Sequence, residues 1–146
     1  MQSYSYEQIF QTMRILRLPY PQAEEMYRRM VFNIVGKNCD DHTKNFAFRL
    51  KQCSRWELSP AYDICYSYSP DNEWVNQQTL SINGKRRNIT KEDLLTIAKA
   101  TNIKKAEQII TTINEVVANW LFYAEKAKVS EVLKNTILKN LHLLNK

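Results

Sequence analysis

The chain has 146 residues, of which 44% are hydrophobic and 25% charged, and its net charge is +6, a composition typical of one globular domain. This composition excludes a disordered chain, and no apolar run approaches the ~18 residues that a membrane-spanning helix needs. Three cysteines without Cys-x-x-Cys spacing argue against a disulfide framework or a structural zinc site, and no secretory signal is visible, so we expect a cytoplasmic protein without membrane contact.

The first 36 residues predict two helices. Ser5 followed by Gln8 forms a capping-box pattern, which predicts a helix over residues 6–16. Pro21 suits the first turn of a second helix, and Gly36 predicts a left-handed stop at its end. Apolar residues recur at helical spacing between these positions and predict one buried stripe: Ala23, Met26, Tyr27, Met30, Val31 and Ile34.

Two small hairpins are predicted next. Residues 46–50 alternate as a strand does, and residues 56–58 are expected to pair with them, which would bring residues 59–63 back toward the segment before the hairpin. Residues 66–79 show no clear period and predict a surface loop. Residues 80–87 predict a second hairpin, in which Asn83 and Gly84 form a primed turn.

The remainder of the chain is predicted to be helical, so the expected fold class is mainly α with small β-hairpins. Thr90 caps a helix that ends near Ala100. A long helix is predicted over residues 104–126, with an inward stripe of Ile109, Ile110, Ile113, Val116, Val117, Trp120 and Leu121. Ser130 begins a last helix, whose inward residues are predicted to be Leu133, Ile137, Leu141 and Leu144.

The segment with the clearest chemistry is residues 38–46 (NCDDHTKNF), in which Asp40 lies five positions before Asn45. Protein kinases use an Asp that accepts the substrate hydroxyl proton, an Asn that holds magnesium, and a further Asp that bridges magnesium to the phosphates. On this pattern Asp40 is the predicted base, and Asn45 and Asp63 supply hard oxygen ligands for Mg²⁺. Paired aspartates are also common in ordinary turns, so the hypothesis depends on the combination of Asp40, Asn45 and Asp63 and not on the Asp pair alone.

Two neighbouring side chains are further candidates. Lys44 would place a positive charge near the transferred phosphoryl group. His42 would either fix the loop through its ring nitrogens or fill a polar position in the core.

Two segments together resemble a known family. Residues 38–46 and residues 56–63 (WELSPAYD) are similar to the C-terminal domain of the HipA-like serine/threonine kinase toxins. In that family the loop reads Asp-(Asp/Ala)-His-x-Lys-Asn-Phe, and the later segment reads Leu-(Ser/Thr)-Pro-x-Tyr-Asp. The resemblance extends over the whole chain, residues 1–146, and implies a protein-kinase-like C-lobe, the helical lobe of an α+β kinase fold.

The resemblance also implies roles for particular residues. It places a catalytic loop at residues 36–46, a metal-binding segment at 59–64 and a helical bundle at 90–145. By this likeness Asp40 is the catalytic base, and Asn45 and Asp63 hold magnesium. The matching positions of His42 and Lys44 are expected to support catalysis, as loop support and in the phosphate neighbourhood, which makes Lys44 a cofactor-binding candidate with Asn45 and Asp63.

The implied reaction is transfer of the ATP γ-phosphoryl group to a protein Ser or Thr, with Mg²⁺ and ATP as cofactors. In that family the kinase pairs with a DNA-binding antitoxin, and translation factors such as aminoacyl-tRNA synthetases are typical substrates. Family members also carry an N-terminal lobe with a phosphate-covering loop and an ATP-binding lysine on a strand.

This chain departs from the family in lacking that lobe. Its two glycines are Gly36 and Gly84, and no strand-borne lysine precedes the motif. We therefore expect weak or absent binding of ATP and Mg²⁺ by the chain alone, nearly silent catalysis, and an N-terminal lobe or split subunit as a partner. A fragment, a split subunit and a degenerate remnant all agree with this pattern.

An alternative hypothesis comes from the distribution of charge. Residues 1–83 hold nine basic and nine acidic side chains, whereas residues 84–146 hold twelve and six. The chain could therefore be a non-catalytic interaction module that binds an antitoxin or DNA through its basic C-terminal helices. Solvated, lysine-rich helix faces explain the same imbalance, and only residues 85–87 (KRR) cluster.

Overall fold

The computed structural model describes residues 4–144. In this range it contains six α-helices: Tyr6–Ile15 (α1), Tyr20–Val35 (α2), Lys91–Thr101 (α3), Ala106–Ala118 (α4), Trp120–Lys126 (α5) and Glu131–Asn140 (α6). One antiparallel two-stranded sheet, of Phe48–Leu50 (β1) and Trp56–Leu58 (β2), lies between α2 and α3 in the chain. The predicted mainly α fold class is confirmed. No helix within residues 4–144 combines the length and apolar character needed to cross a membrane.

The N-termini of the first two helices follow from local chemistry. Ser5 Oγ accepts a hydrogen bond from the Gln8 amide at 3.4 Å, and Gln8 Oε1 accepts one from the Ser5 amide at 2.9 Å. This reciprocal pair satisfies two amides that have no partner inside the helix. Pro21 lies in the first turn of α2, where its missing N–H costs no helical hydrogen bond. Both predicted helix starts are confirmed.

The end of α2 differs from the prediction. Gly36 has a φ of −80°, so it is not left-handed, and the positive φ of 56° belongs to Lys37. Glycine is needed at position 36 for space, because a Cβ there would lie 2.9 Å from the carbonyl oxygen of Phe32. The absence of a side chain lets the chain close tightly on the last turn of α2 before Lys37 turns it into the motif loop.

The core lies between α2 and the helices around it. Helix α2 packs most extensively against α4 and also contacts α1, and α3 packs against both α1 and α4. Complete burial of a large apolar side chain stabilises the fold by about 1.5–3 kcal/mol. The predicted stripe of α2 is confirmed, since five of its members are buried and Ala23 is partly buried: Met26, Tyr27, Met30, Val31 and Ile34.

The predicted long helix over residues 104–126 is wrong, because the structure has two helices that meet at Asn119. The Asn119 side chain donates a hydrogen bond from Nδ2 to the Glu115 carbonyl at 3.1 Å, and this competes with regular helical pairing. Val116 and Leu121, which were predicted to face inward, are exposed, contrary to the prediction.

The last helix begins after Ser130 as predicted, but its apolar face is narrower. Ile137 is buried, whereas Leu133 is exposed, contrary to the prediction. The helix also ends earlier than predicted, at Asn140, so Leu141, which is partly buried, and Leu144, which is buried, lie beyond it. The segment after α6 returns to the end of α2, where the His142 amide donates to the Val35 carbonyl at 3.0 Å. The segment after α6 thus contacts the C-terminal end of α2.

Both predicted hairpins form. In the first, Phe48 pairs with Leu58 and Leu50 with Trp56. In the second, Asn83 and Gly84 have φ values of 49° and 75°, as a type I′ turn requires. The flanking residues Ile82 and Lys85 exchange backbone hydrogen bonds of 2.8 and 2.9 Å.

Candidate active site

The motif loop, which we define as residues 38–46, leaves α2 and ends in a 3₁₀ turn over Thr43–Asn45. The Asn45 side chain donates from Nδ2 to the backbone carbonyl of Asp40 at 3.0 Å, so it closes the loop across the Asp-x4-Asn spacing. Within residues 4–144, Asn45 Oδ1 accepts no hydrogen bond. The Asn45 amide group therefore donates a hydrogen bond to the loop, and its carbonyl oxygen is available to another partner.

Asp40 presents a half-exposed carboxylate, with 51% of the side chain accessible. His42 Nε2 lies 3.9 Å from Asp40 Oδ1, too far for a hydrogen bond. A carboxylate that is exposed and without a donor can accept a proton from a hydroxyl group that is brought to it.

The β1–β2 hairpin returns the chain to the motif loop. The Tyr62 hydroxyl donates to the Lys44 carbonyl at 2.8 Å, and Asn38 Nδ2 donates to the Asp63 carbonyl at 3.1 Å. Asp63 has a φ of 53°, a left-handed conformation that is uncommon outside glycine. These bonds confirm the predicted return and hold Asp63 in this conformation, with its side chain exposed.

The pKa of the Cys65 thiol depends on both exposed aspartates, Asp40 and Asp63. Burial raises the pKa of the Cys65 thiol, and the negative charges of Asp63 and Asp40 raise it further. The sulfur lies 4.0 Å from Asp63 Oδ1.

The chemistry of this donor set suits a hard cation. A carboxylate from Asp63 and a free amide oxygen from Asn45 are oxygen ligands of the kind that Mg²⁺ prefers. Within residues 4–144, no three His, Cys, Asp or Glu side chains group so as to hold a metal ion. Any cation here would thus rest on few protein ligands and would need further oxygens from a bound phosphate or from water.

Asp41 lies next to Asp40 but has the opposite environment, since it is completely buried. Its Oδ2 accepts hydrogen bonds from the Tyr6 hydroxyl at 2.7 Å and from Gln78 Nε2 at 3.1 Å. Its Oδ1 accepts from the backbone amides of Thr79 at 2.7 Å and Leu80 at 3.3 Å. Burial raises the pKa of Asp41, and these hydrogen bonds act against that rise.

The hydrogen bonds around Asp41 continue into the helices. Asn33 Nδ2 donates to the Tyr6 hydroxyl at 3.0 Å, and Asn38 Nδ2 donates to Asn33 Oδ1 at 3.1 Å. Burial, and then the charge of Asp41, raise the pKa of Tyr6 well above its ordinary value, so its hydroxyl remains a donor. We call the five residues joined by these hydrogen bonds the Asp41 network: Tyr6, Asn33, Asn38, Asp41 and Gln78.

The prediction that residues 66–79 are only a surface loop is wrong, because Gln78 is 3% exposed and bonds to the motif loop. Gln78 Nε2 donates to the Asn38 carbonyl at 3.0 Å, and its Oε1 accepts from Cys39 Sγ at 2.9 Å. Ser67 pairs with the same loop, since its carbonyl accepts from the Cys39 amide at 2.9 Å. The motif loop has no helical partners for its backbone groups, and this segment supplies them.

Sequence reasoning did not find the Asp41 network, although one signal was present. Asn33 interrupts the apolar stripe of α2, and a polar residue on a buried helix face needs a buried partner. Cys39 is buried as well. Burial raises the pKa of its thiol to about 12, which leaves it protonated and unreactive.

His42 and Lys44 contribute less structure than the other motif residues. His42 is half-buried, and its Nδ1 is buried without a hydrogen-bond partner in residues 4–144, so the ring does not fix the loop through that nitrogen. The role of His42, loop support through its ring or occupation of a polar position in the core, stays a prediction. Lys44 is exposed, and its ammonium forms no ion pair in the described part of the chain.

Comparison with known proteins agrees with this arrangement. The family model described as HipA-like C-terminal domain matches residues 1–120, a range that includes the motif loop, the Asp63 segment and the Asp41 network. A comparison with curated proteins gives no match. Because the family model covers most of the chain and both motif segments, the resemblance is confirmed: the chain belongs to the HipA-like C-terminal domain family.

Proposed function

We propose that this chain is the helical C-lobe of a HipA-like serine/threonine protein kinase and carries its catalytic base and magnesium ligands. The observation that supports this most directly is the closed Asp-x4-Asn loop, in which Asn45 bonds to the Asp40 backbone and leaves the Asp40 carboxylate exposed. Family membership supports the same assignment. The fold alone would not, since related folds host different activities.

Asp40 is the proposed base. Its carboxylate is accessible and carries no hydrogen bond from residues 4–144, so an incoming Ser or Thr hydroxyl meets a free acceptor. In phosphoryl transfer, positioning of the hydroxyl matters more than its deprotonation, and Asp40 would do both. The buried Asp41 network fixes the backbone on either side of Asp40 and is proposed to act through this positioning.

Asn45 and Asp63 are the proposed magnesium ligands, and Lys44 is the proposed phosphate neighbour. When bound, magnesium supplies neutralisation of the charge on the phosphate oxygens. The two ligands reach the site on separate segments, which Tyr62 and Asn38 tie together through their bonds to Lys44 and Asp63. The exposed Lys44 ammonium adds a mobile positive charge at the same edge.

The proposal includes dependence on an N-terminal lobe. The 146 residues contain two glycines and no glycine-rich loop, so a phosphate cover of the kinase type must be supplied by another part of the enzyme. By family analogy we propose a DNA-binding antitoxin as a further partner and a translation factor as the phosphoacceptor. The chain alone is expected to show no measurable turnover of ATP.

Manganese provides a test of the metal site that does not require the N-terminal lobe. The chain labelled with ¹⁵N is titrated with Mn²⁺, a paramagnetic substitute for Mg²⁺, and amide line broadening is followed by NMR. Broadening is expected at Asn45 and Asp63 and should largely disappear in Asp63→Asn. The control is Asp71→Asn, which removes an exposed carboxylate of the loop outside the site. Equal broadening in both variants would reject the metal assignment.

A second experiment tests the base. The chain is combined with the N-terminal lobe of a HipA-like kinase, and transfer of the γ-phosphoryl group to protein is measured with labelled ATP. Asp40→Asn is expected to lower the rate by about 10²–10⁴-fold, the usual contribution of a positioned general base. Turnover by the 146-residue chain alone, abolished by Asp40→Ala, would contradict the proposed dependence on the second lobe.

A further inference from the structure

A cavity of about 240 Å³ lies beside the motif loop, between the end of α2 and the segments 68–78 and 86–89. Three of its lining residues are cationic: Lys37, Arg86 and Arg87. Amide side chains from Asn76 and Asn88 also line it. This cavity is distinct from the exposed edge that carries Asp40 and Asp63, neither of which lines it.

Within residues 4–144 the three cations have no counter-charge. No carboxylate from residues 4–144 lines the cavity, and none of the three forms an ion pair in that range. The adjacent Lys85 differs, since its Nζ pairs with Asp93 Oδ2 at 2.9 Å. Like charges that converge without a counterion repel each other, and a bound anion would convert this repulsion into attraction.

Neutral groups nevertheless hold each cation in place. Lys37 Nζ lies 4.6 Å from the centre of the Tyr68 ring, a cation–π contact. Arg86 Nε donates to the Gln78 carbonyl at 2.6 Å, and Arg87 Nη2 donates to Asn76 Oδ1 at 2.9 Å. These contacts position the charges without neutralising them, so a ligand would not bear the full entropic cost of ordering three long side chains.

We propose that this cavity binds a single phosphate group, either as the free ion or on a phosphorylated side chain. Two guanidinium groups and one ammonium supply positive charge and N–H donors, which phosphate oxygens accept. The cavity is a concave site of limited volume, which suits one phosphate group and not the extended backbone of a duplex. The proposal does not depend on kinase activity.

The site is also connected to the motif loop. Arg86 bonds to the backbone carbonyl of Gln78, and the Gln78 side chain bonds to Asn38 and Asp41. Phosphate bound at Arg86 would therefore affect the Asp41 network through Gln78, which contacts both. The backbone amide signal of Asn38, which does not line the cavity, should therefore respond to the ligand.

The test is an NMR titration of the ¹⁵N-labelled 146-residue chain at constant ionic strength, with inorganic phosphate in one series and O-phosphoserine in the other. Saturable shifts are expected for Lys37 and for residues 86–89. The double variant Lys37→Gln with Arg87→Gln should weaken binding by about tenfold or more, since it removes two charge-assisted contacts. Arg86 and its bond to Gln78 are retained so that the loop stays folded, which the dispersion of the spectrum verifies.

The matched control is Lys104→Gln with Lys139→Gln, which removes the same charge from two exposed lysines outside the cavity. Unchanged binding in this control supports a site, whereas equal weakening in both double variants reduces the effect to net charge and rejects the proposal. Tighter binding of phosphoserine would identify a phosphorylated side chain as the ligand, and equal or tighter binding of inorganic phosphate would identify the free ion. Shifts that never saturate would overturn the proposal.

Discussion

The Asp41 network and the last two helices, α5 and α6, are held in the fold by different forces. Around Asp41, four hydrogen bonds reach one buried carboxylate from residues that lie 35 to 39 positions away. In α5 and α6 the interior contacts are few, with Ala124 and Ile137 buried and Phe122 and Val132 exposed. Buried hydrogen bonds require direction as well as proximity, so the first region specifies a geometry. The second contributes burial and tolerates small displacements.

The strongest way to break this comparison is Asp41→Ala. The substitution leaves the Tyr6 hydroxyl, one N–H of the Gln78 amide and two backbone amides without their acceptor. We expect the free energy of unfolding to fall by about 3–5 kcal/mol. Urea denaturation, monitored by circular dichroism, measures this free energy of unfolding. The matched control is Asp40→Ala at the exposed neighbour, where about 0.5 kcal/mol or less is expected. Similar losses for both variants would remove the distinction between the two aspartates.

The second test concerns α6. Ile137→Ala removes a buried side chain from the C-terminal region and is expected to cost about 2–4 kcal/mol. Leu133→Ala, on the exposed part of the same helix, is the control and should cost about 0.5 kcal/mol or less. Thermal unfolding by calorimetry distinguishes the two. A large loss at Leu133 would mean that this face is covered in solution.

A third test measures what the Tyr6 hydroxyl contributes. Tyr6→Phe removes one donor to Asp41 and one acceptor for Asn33, and we expect a loss of about 1–2 kcal/mol. Tyr27 is an equally buried tyrosine whose hydroxyl makes one bond, to the Leu94 carbonyl at 3.0 Å. Tyr27→Phe should therefore cost about 1 kcal/mol or less. The order of the two losses, measured by urea denaturation, would be reversed if the network bond contributed nothing.

The last expected effect depends on pH. Burial acts to raise the pKa of Asp93, but bonds from Thr90, Lys85 and Asn83 outweigh it and lower that pKa to about 2. The stability from these bonds is present above the unfolded pKa of about 4 and is lost as pH falls toward 2. Asp93→Asn should thus cost about 1–2 kcal/mol at pH 6 and much less at pH 2. Urea unfolding at the two pH values measures this difference, and an equal cost at both would refute the linkage.

Asp41 should show the opposite pH dependence. Its pKa is raised by burial, so its contribution is full below the unfolded pKa and is lost as pH rises through the folded pKa. The two carboxylates are both buried, and their different directions come from their partners. Asp93 has an ammonium beside it, whereas Asp41 has only neutral donors.

Local chemistry made much of the fold predictable. The capping box at Ser5, the N-cap at Thr90 and the turn at Asn83 and Gly84 depend on residues within three positions of each other, and all three form as expected. The spacing of Asp40, Asn45 and Asp63, with a hairpin between, likewise identified the candidate site. The errors came where local signals competed, as at Asn119, whose side chain divides a continuous apolar pattern into two helices.

By itself, the sequence determined the helix starts, the hairpins and the family, because each depends on short-range spacing of particular side chains. Only the tertiary structure decided which of two adjacent aspartates is buried. Asp40 and Asp41 are chemically identical and differ in their distant partners, since Tyr6 and Gln78 meet Asp41 only after the helices pack. The same holds for the cationic cavity, where Lys37 and Arg87 are 50 positions apart in the chain. Hydrogen bonds and charge clusters of this range form by packing, and no local pattern encodes them.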